Sequence, residues 1–259
     1  MKDTEVERGV TRNFLVSGIA VLMIAGCGGS DDAVPDKPTA TACFDQALYA
    51  PAAIAEVEYA YTDSNGASIG SGTFSSVVQR TEASFVGVDG LVERLVRFRE
   101  QELSASGLPS STVAGSQTLY ERPEANGDVT RYGEVADSPF VGAINHRSIT
   151  YTPPMVDSRA NMKVGEERIF RWQGNVSGGE GSQSTTFDES KKVVFVGMET
   201  VRVPSGTYMA CRFDGGPPGG WPYNATEWIA HGLVVKRWYP LIGKGVEATR
   251  ITRNGQPLK

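Results

Sequence analysis

From Val57 onward the chain alternates polar and apolar residues with a period of two, and it breaks that alternation at clusters of Gly, Pro, Asn and Ser. Val57, Tyr59 and Tyr61 alternate with Glu58, Ala60 and Thr62, the pattern of a half-buried strand. Ser64-Asn65-Gly66 then supplies a hairpin signal, and an extended pattern resumes over 74–78 and again over 84–88. The stretch 91–103 fits either a helix or a strand. Val92, Arg94, Val96 and Phe98 alternate, and strands surround the stretch, so strand is expected. Further short strands are expected over 116–121, 129–132 and 147–151, until Pro153-Pro154 imposes an irregular segment, since proline donates nothing to a ladder.

The second half repeats the theme. Strand patterns cover 167–173 and 192–203, the latter stopping at Pro204-Ser205-Gly206. Thr207, Met209, Cys211 and Phe213 follow on what alternation makes one face, directed at the core. A Gly/Pro-rich loop occupies 215–222, and strands at 228–230, 233–239 and 246–252 close the chain. So many short strands with turns between them imply a mainly β domain with little helix, a strongly curved antiparallel sheet.

The N-terminus carries a different message. A polar stretch, 1–13, precedes an apolar run, 14–25, which is too short to cross a bilayer as a helix and has the length of a signal-peptide core. Ile24-Ala25-Gly26-Cys27 follows and resembles the lipobox of bacterial lipoproteins. That resemblance implies a signal peptide over 1–26 and a mature chain that begins at a diacylglycerol-modified, usually N-acylated Cys27. Two or more acyl chains make membrane attachment stable. Gly28, in place of the aspartate of the enterobacterial retention rule, implies the outer membrane, with the protein facing the periplasm or the surface. Residues 27–42, rich in Gly, Ser, Asp, Pro and Ala, read as a flexible tether, and 43–259 as a single antiparallel β domain.

With Cys27 lipidated, Cys43 and Cys211 remain, in a compartment where disulfides persist, and a bridge between them is expected. The two histidines, His146 and His231, do not fall at ligand spacing with the cysteines, so no metal and no other cofactor is expected. A net charge of −5 without a basic run excludes a nucleic-acid footprint.

Residues 162–255 carry a second resemblance. Lys163-Val164-Gly165-Glu166, then Val201-Arg202-Val203-Pro204-Ser205-Gly206-Thr207-Tyr208, then Trp228-Ile229-Ala230-His231-Gly232-Leu233-Val234-Val235-Lys236 occur in order. This is similar to a group of uncharacterised bacterial periplasmic and lipid-anchored proteins, distantly similar in fold to the Lol lipoprotein carriers. The resemblance implies an unclosed barrel around an apolar cavity and transfers no catalytic residue.

One catalytic-looking match exists. Gly66-Ala67-Ser68-Ile69-Gly70 fits the nucleophile elbow of α/β-hydrolases, and Asp188 or Asp214 with His231 would complete the order Ser, Asp, His. The elbow needs a strand before it and a helix after it, whereas this one sits in a hairpin. Large aromatics such as Tyr59, Tyr61, Trp172, Tyr208, Trp228 and Trp238 read as core. The expectation is therefore a non-enzymatic, lipid-anchored binding module of the cell envelope, holding an apolar ligand or docking another envelope protein. The alternatives are a secreted serine hydrolase using Ser68 and His231, and a structural or assembly lipoprotein.

Overall fold

The computed structural model describes residues 38–258 apart from 105–106, 141–142, 179–183 and 217–223. Cys27 and most of the tether lie outside the described residues.

Thirteen strands follow one another along the chain. β1 (Ile54–Thr62), β2 (Ser68–Phe85), β3 (Val88–Leu103) and β4 (Pro109–Pro123) come first, then β5 (Val129–Phe140), β6 (Ala143–Asp157) and β7 (Glu167–Ser177). β8 (Thr185–Val203), β9 (Gly206–Gly216), β10 (Thr226–Ala230), β11 (Leu233–Tyr239), β12 (Lys244–Arg253) and the two-residue β13 (Gln256–Pro257) complete the set. Each strand pairs antiparallel with the next, and β12 also pairs with β1, from Ala55↔Arg253 to Thr62↔Gly245. The sheet is thus a closed antiparallel barrel of twelve strands with β13 as a short appendage.

Closure corrects the unclosed, Lol-carrier-like sheet expected above. Alternation and turn residues report only local partners, while the seam joins the first strand to the twelfth. The seam gives β1 a ladder on both sides and leaves it no bare edge.

Local chemistry explains the hairpins. Asp63 Oδ1 accepts hydrogen bonds from the amides of Asn65 and Ala67, and Gly66 takes a positive φ of 81° that few side chains tolerate. The stretch 91–103, ambiguous in sequence, lies in β3. Pro153 and Pro154 lie within β6, where the ladder with β5 skips from Gly133↔Thr150 to Arg131↔Met155.

On β9 the burial departs from a single buried face. Cys211 and Phe213 are buried, but Met209 is exposed, and Tyr208 and Ala210 on the opposite face are buried too. Two clusters account for this. Tyr208 and Ala210 pack with Val201, Val203, Val57, Val235 and Ile251, whereas Cys211 and Phe213 pack with Met162, Val193, Phe195 and Ile229. The β8–β9 ladder also shifts between Phe195 and Gly197, which on β9 falls between Phe213 and Arg212.

The segment before β1 closes one end of the barrel. It makes two short 3-10 turns, Ala40–Cys43 and Gln46–Tyr49. Cys43 is bonded to Cys211 on β9, and its carbonyl accepts from the Gly232 amide in the β10–β11 turn at 2.7 Å. Thr41 Oγ1 donates to the Ala160 carbonyl between β6 and β7, Gln46 reaches Glu124 after β4, and Asp45 pairs with Arg253 at the end of β12. Thr39 bridges to Lys163, so the chain leading back to the tether enters at this same end.

Candidate ligand cavity

Beneath that plug lies a cavity of about 380 Å³, lined from the plug, from β1 to β6 and from β11 and β12. It reaches the far end of the barrel, where Tyr61, Glu100, Tyr239 and Lys244 line it. The size falls in the range of small-molecule pockets, about 300–1,000 Å³. The lining mixes the aliphatic residues Leu48, Val129, Met155, Leu233 and Val246 with charged and aromatic side chains.

Its charges form two connected groups. On β4, Glu121 is about 1 % exposed and lies between two arginines. Arg94 of β3 reaches one carboxylate oxygen through Nε at 2.9 Å and Nη2 at 2.8 Å, and Arg131 of β5 reaches the other at 3.0 and 2.8 Å. Burial alone would raise the Glu121 pKa, but the two guanidinium groups outweigh it and hold the carboxyl below its ordinary range. Arg94 also donates to Ser76 Oγ and lies over the Tyr49 ring, 5.3 Å from its centroid. Burial and the Glu121 charge push the Tyr49 phenol up to about 12.

The second group runs from β6 to β11. Asp157 is held by Arg159 at 2.7 Å, Arg159 bridges to Glu227 of β10 at 3.1 Å, and Glu227 takes Arg237 of β11 at 2.7 Å. Lys191 approaches the same carboxylate at 4.0 Å. Burial opposes ionisation of Glu227, yet Arg237, Lys191 and Arg159 together bring its pKa down to about 2. A carboxylate nearly removed from water stays ionised because three cations face it.

Glycines in the wall make room for the aromatic part. A Cβ on Gly72 of β2 would clash with the Tyr61 hydroxyl, so glycine at this position leaves room for Tyr61. The Tyr61 hydroxyl reaches Glu100, and Lys244 Nζ sits 4.2 Å from the ring centroid. A Cβ on Gly115 would similarly come within 2.7 Å of the Phe98 ring. Tyr59 donates to the Val234 carbonyl at 2.9 Å.

The residues singled out from sequence lie elsewhere. Ser68 opens β2 opposite Thr62, level with Gly245 of β12 and Trp238 of β11. His231 sits in the turn before β11, at the plugged end, with its ring against Tyr208. The length of β11 separates them, roughly 20 Å of extended chain, so the fold does not bring the pair together. Asp188 pairs across the ladder with Gln173, and Asp214 is bonded to Arg212 and Thr226. His146 is exposed and lies 2.7 Å from Asp137. Among the described residues no cluster of His, Cys, Asp and Glu could hold a metal.

Sequence reasoning read Tyr59 and Tyr61 as core and did not nominate Arg94, Glu121, Arg131, Asp157, Arg159, Glu227 or Arg237. A signal existed. Arg94 stands between Val92 and Val96 on the buried parity of its strand, and Glu121 stands two after Leu119. A charge in an apolar row either finds a buried partner or faces a cavity.

No protein-family model matches the chain, and no curated protein matches it. Two solved structures are similar. One is a Bacteroides fragilis chain provisionally described as an exported protein with a YmcC-like fold: 11 % identity, TM-score 0.38, 76 % of this chain and 95 % of that one covered. The other is a Parabacteroides distasonis chain provisionally described as a lipoprotein: 9 % identity, TM-score 0.31, 81 % and 98 % covered. Likeness at these scores bears on neither function nor location, and kinship with the Lol carriers is not shown by it.

Proposed function

We propose that this chain is an exported, lipid-anchored, non-catalytic binding module of the cell envelope, and that the barrel cavity is its ligand site. The observation that carries the binding reading is the cavity itself. Eight strands make a barrel whose interior side chains just fill; twelve enclose more, and about 380 Å³ stays open here between tyrosines and an ion network. The lining favours a ligand with polar groups on an aromatic or aliphatic body; a wholly apolar ligand would strand Arg94, Arg131 and Arg237 against hydrocarbon. Acid–base or nucleophilic chemistry finds little support, because Glu121, Asp157 and Glu227 are committed to arginines.

The anchor rests on Ile24-Ala25-Gly26-Cys27, and Gly28 supports the outer membrane as its address. Labelling cells with radioactive palmitate tests it. The wild-type chain is expected in the membrane fraction with label, and C27S soluble and unlabelled; an unlabelled, soluble wild type contradicts the anchor. The binding reading is tested by thermal shift against a small-molecule panel. Hits should raise the Tm of the wild type and leave a cavity-filled variant, S76W, unmoved. A panel that shifts both proteins equally, or neither, contradicts it.

A further inference from the structure

Five carboxylates line the cavity or anchor its arginines at the β11 side, and each has a partner. Glu121 takes Arg94 and Arg131, Asp157 takes Arg159, Glu227 takes Arg159 and Arg237, Asp45 takes Arg253, and Glu100 takes the Tyr61 hydroxyl. The cations are not exhausted in the same way. Arg237 spends Nη1 on the Tyr239 hydroxyl and Nη2 on Glu227, which leaves its Nε buried and, among the described residues, without a hydrogen-bond partner. Lys244 rests on the face of Tyr61, with no carboxylate among the described residues paired to it. An unsatisfied buried donor is costly, and a guanidinium in the lining of a cavity is satisfied most strongly by an anion.

Register places these two cations together. Arg237 pairs with Val246 across β11 and β12, while Lys244 pairs with Tyr239. Arg237 and Lys244 are therefore diagonal neighbours on the cavity side, separated by roughly 7–8 Å, a span one acidic group bridges. Tyr61, opposite Val246 on β1, carries Lys244 over its ring, and Tyr239 carries Arg237, so each cation is held on an aromatic in the cavity lining. Glu100, in the same lining, is engaged by the Tyr61 hydroxyl.

Resting on the cavity reading above, we propose that the ligand is a small organic anion. Its acidic group seats between Arg237 and Lys244 at the end of the cavity away from the plug, and its body lies in the cavity beside them.

Two dyes with a shared body test this on the purified full-length chain. Anilinonaphthalene sulfonate carries an anion, and N-phenylnaphthylamine is the same aromatic body without it. The sulfonate is expected to bind roughly tenfold tighter or better, the worth of one charge-assisted hydrogen bond. K244Q should weaken the sulfonate by a similar factor and leave the neutral dye unchanged. Because Arg237 also faces Glu227, R237K serves as the second variant: it keeps the charge at Glu227, removes the Nε donor and should again weaken only the sulfonate. Equal binding of the two dyes overturns the anion seat while keeping the cavity reading. Binding of neither overturns both, and sulfonate binding indifferent to K244Q and R237K places the anion elsewhere and overturns the proposal.

Discussion

Glu227 shows how single residues set the character of the barrel. Its carboxylate is held near a pKa of about 2 by Arg237, Lys191 and Arg159 against the opposing effect of burial. A folded-state value below the ordinary 4.5 means that the stabilisation is complete above that pH and is lost as pH falls from about 4.5 towards 2. Glu121 and Asp157 are depressed in the same direction. Urea unfolding at pH 7 and at pH 3 should therefore show a loss of a few kcal/mol in the wild type. The loss should be smaller in E227Q; an equal loss in both would remove Glu227 from the account. At pH 7, E227A leaves Arg159 and Arg237 facing each other without their shared counter-charge and should cost about 3–5 kcal/mol. Gly72 makes the complementary case. G72A sets a Cβ against the Tyr61 hydroxyl and should destabilise by about 1–3 kcal/mol, read from the denaturation midpoint.

At the scale of elements, the plug and the strands it touches act together. The bridge between Cys43 and Cys211 spans 168 residues, and both sulfurs are buried with Phe195, Phe213 and Met162. Replacing both cysteines with alanine should lower stability by about 2–5 kcal/mol. Proteolysis should then cut first within 38–53, where the plug would be held by Asp45–Arg253, Thr41–Ala160, Gln46–Glu124, a few backbone bonds and the packing of Ala40 and Leu48. Cleavage first at a strand hairpin would contradict that division of labour. These elements were also the part most open to sequence reasoning. Period-two alternation is a local property, so β1, β8, β11 and β12 were visible from residues such as Val57, Tyr59 and Val235, and the turn at 63–67 from Asn65-Gly66. Burial on β9 was less legible, because two clusters claim its opposite faces and the alternation rule allows one.

For the whole molecule, closure decides most. Nothing near Tyr61 announces that Val246 is its partner, since the seam joins positions at the two ends of the domain and its signal is not local. The cavity followed the same rule: its arginines and carboxylates come from β3, β4, β5, β6 and the turn after it, β10 and β11, and although Arg94 and Glu121 stand in apolar rows, their partners are brought together only by the fold. Hydrogen exchange checks closure. Amides of β1 and β12 facing one another across the seam should be protected as well as those between β2 and β3, whereas an open sheet would leave one edge of β1 exchanging freely. That the closed barrel is a ligand container is tested by native mass spectrometry of the C27S chain, which is expected to be free of the membrane, purified from its own cells without detergent. One small molecule bound per chain is expected, and none when S76W is added. A C27S chain that carries no added mass and takes up none from an envelope extract would contradict it.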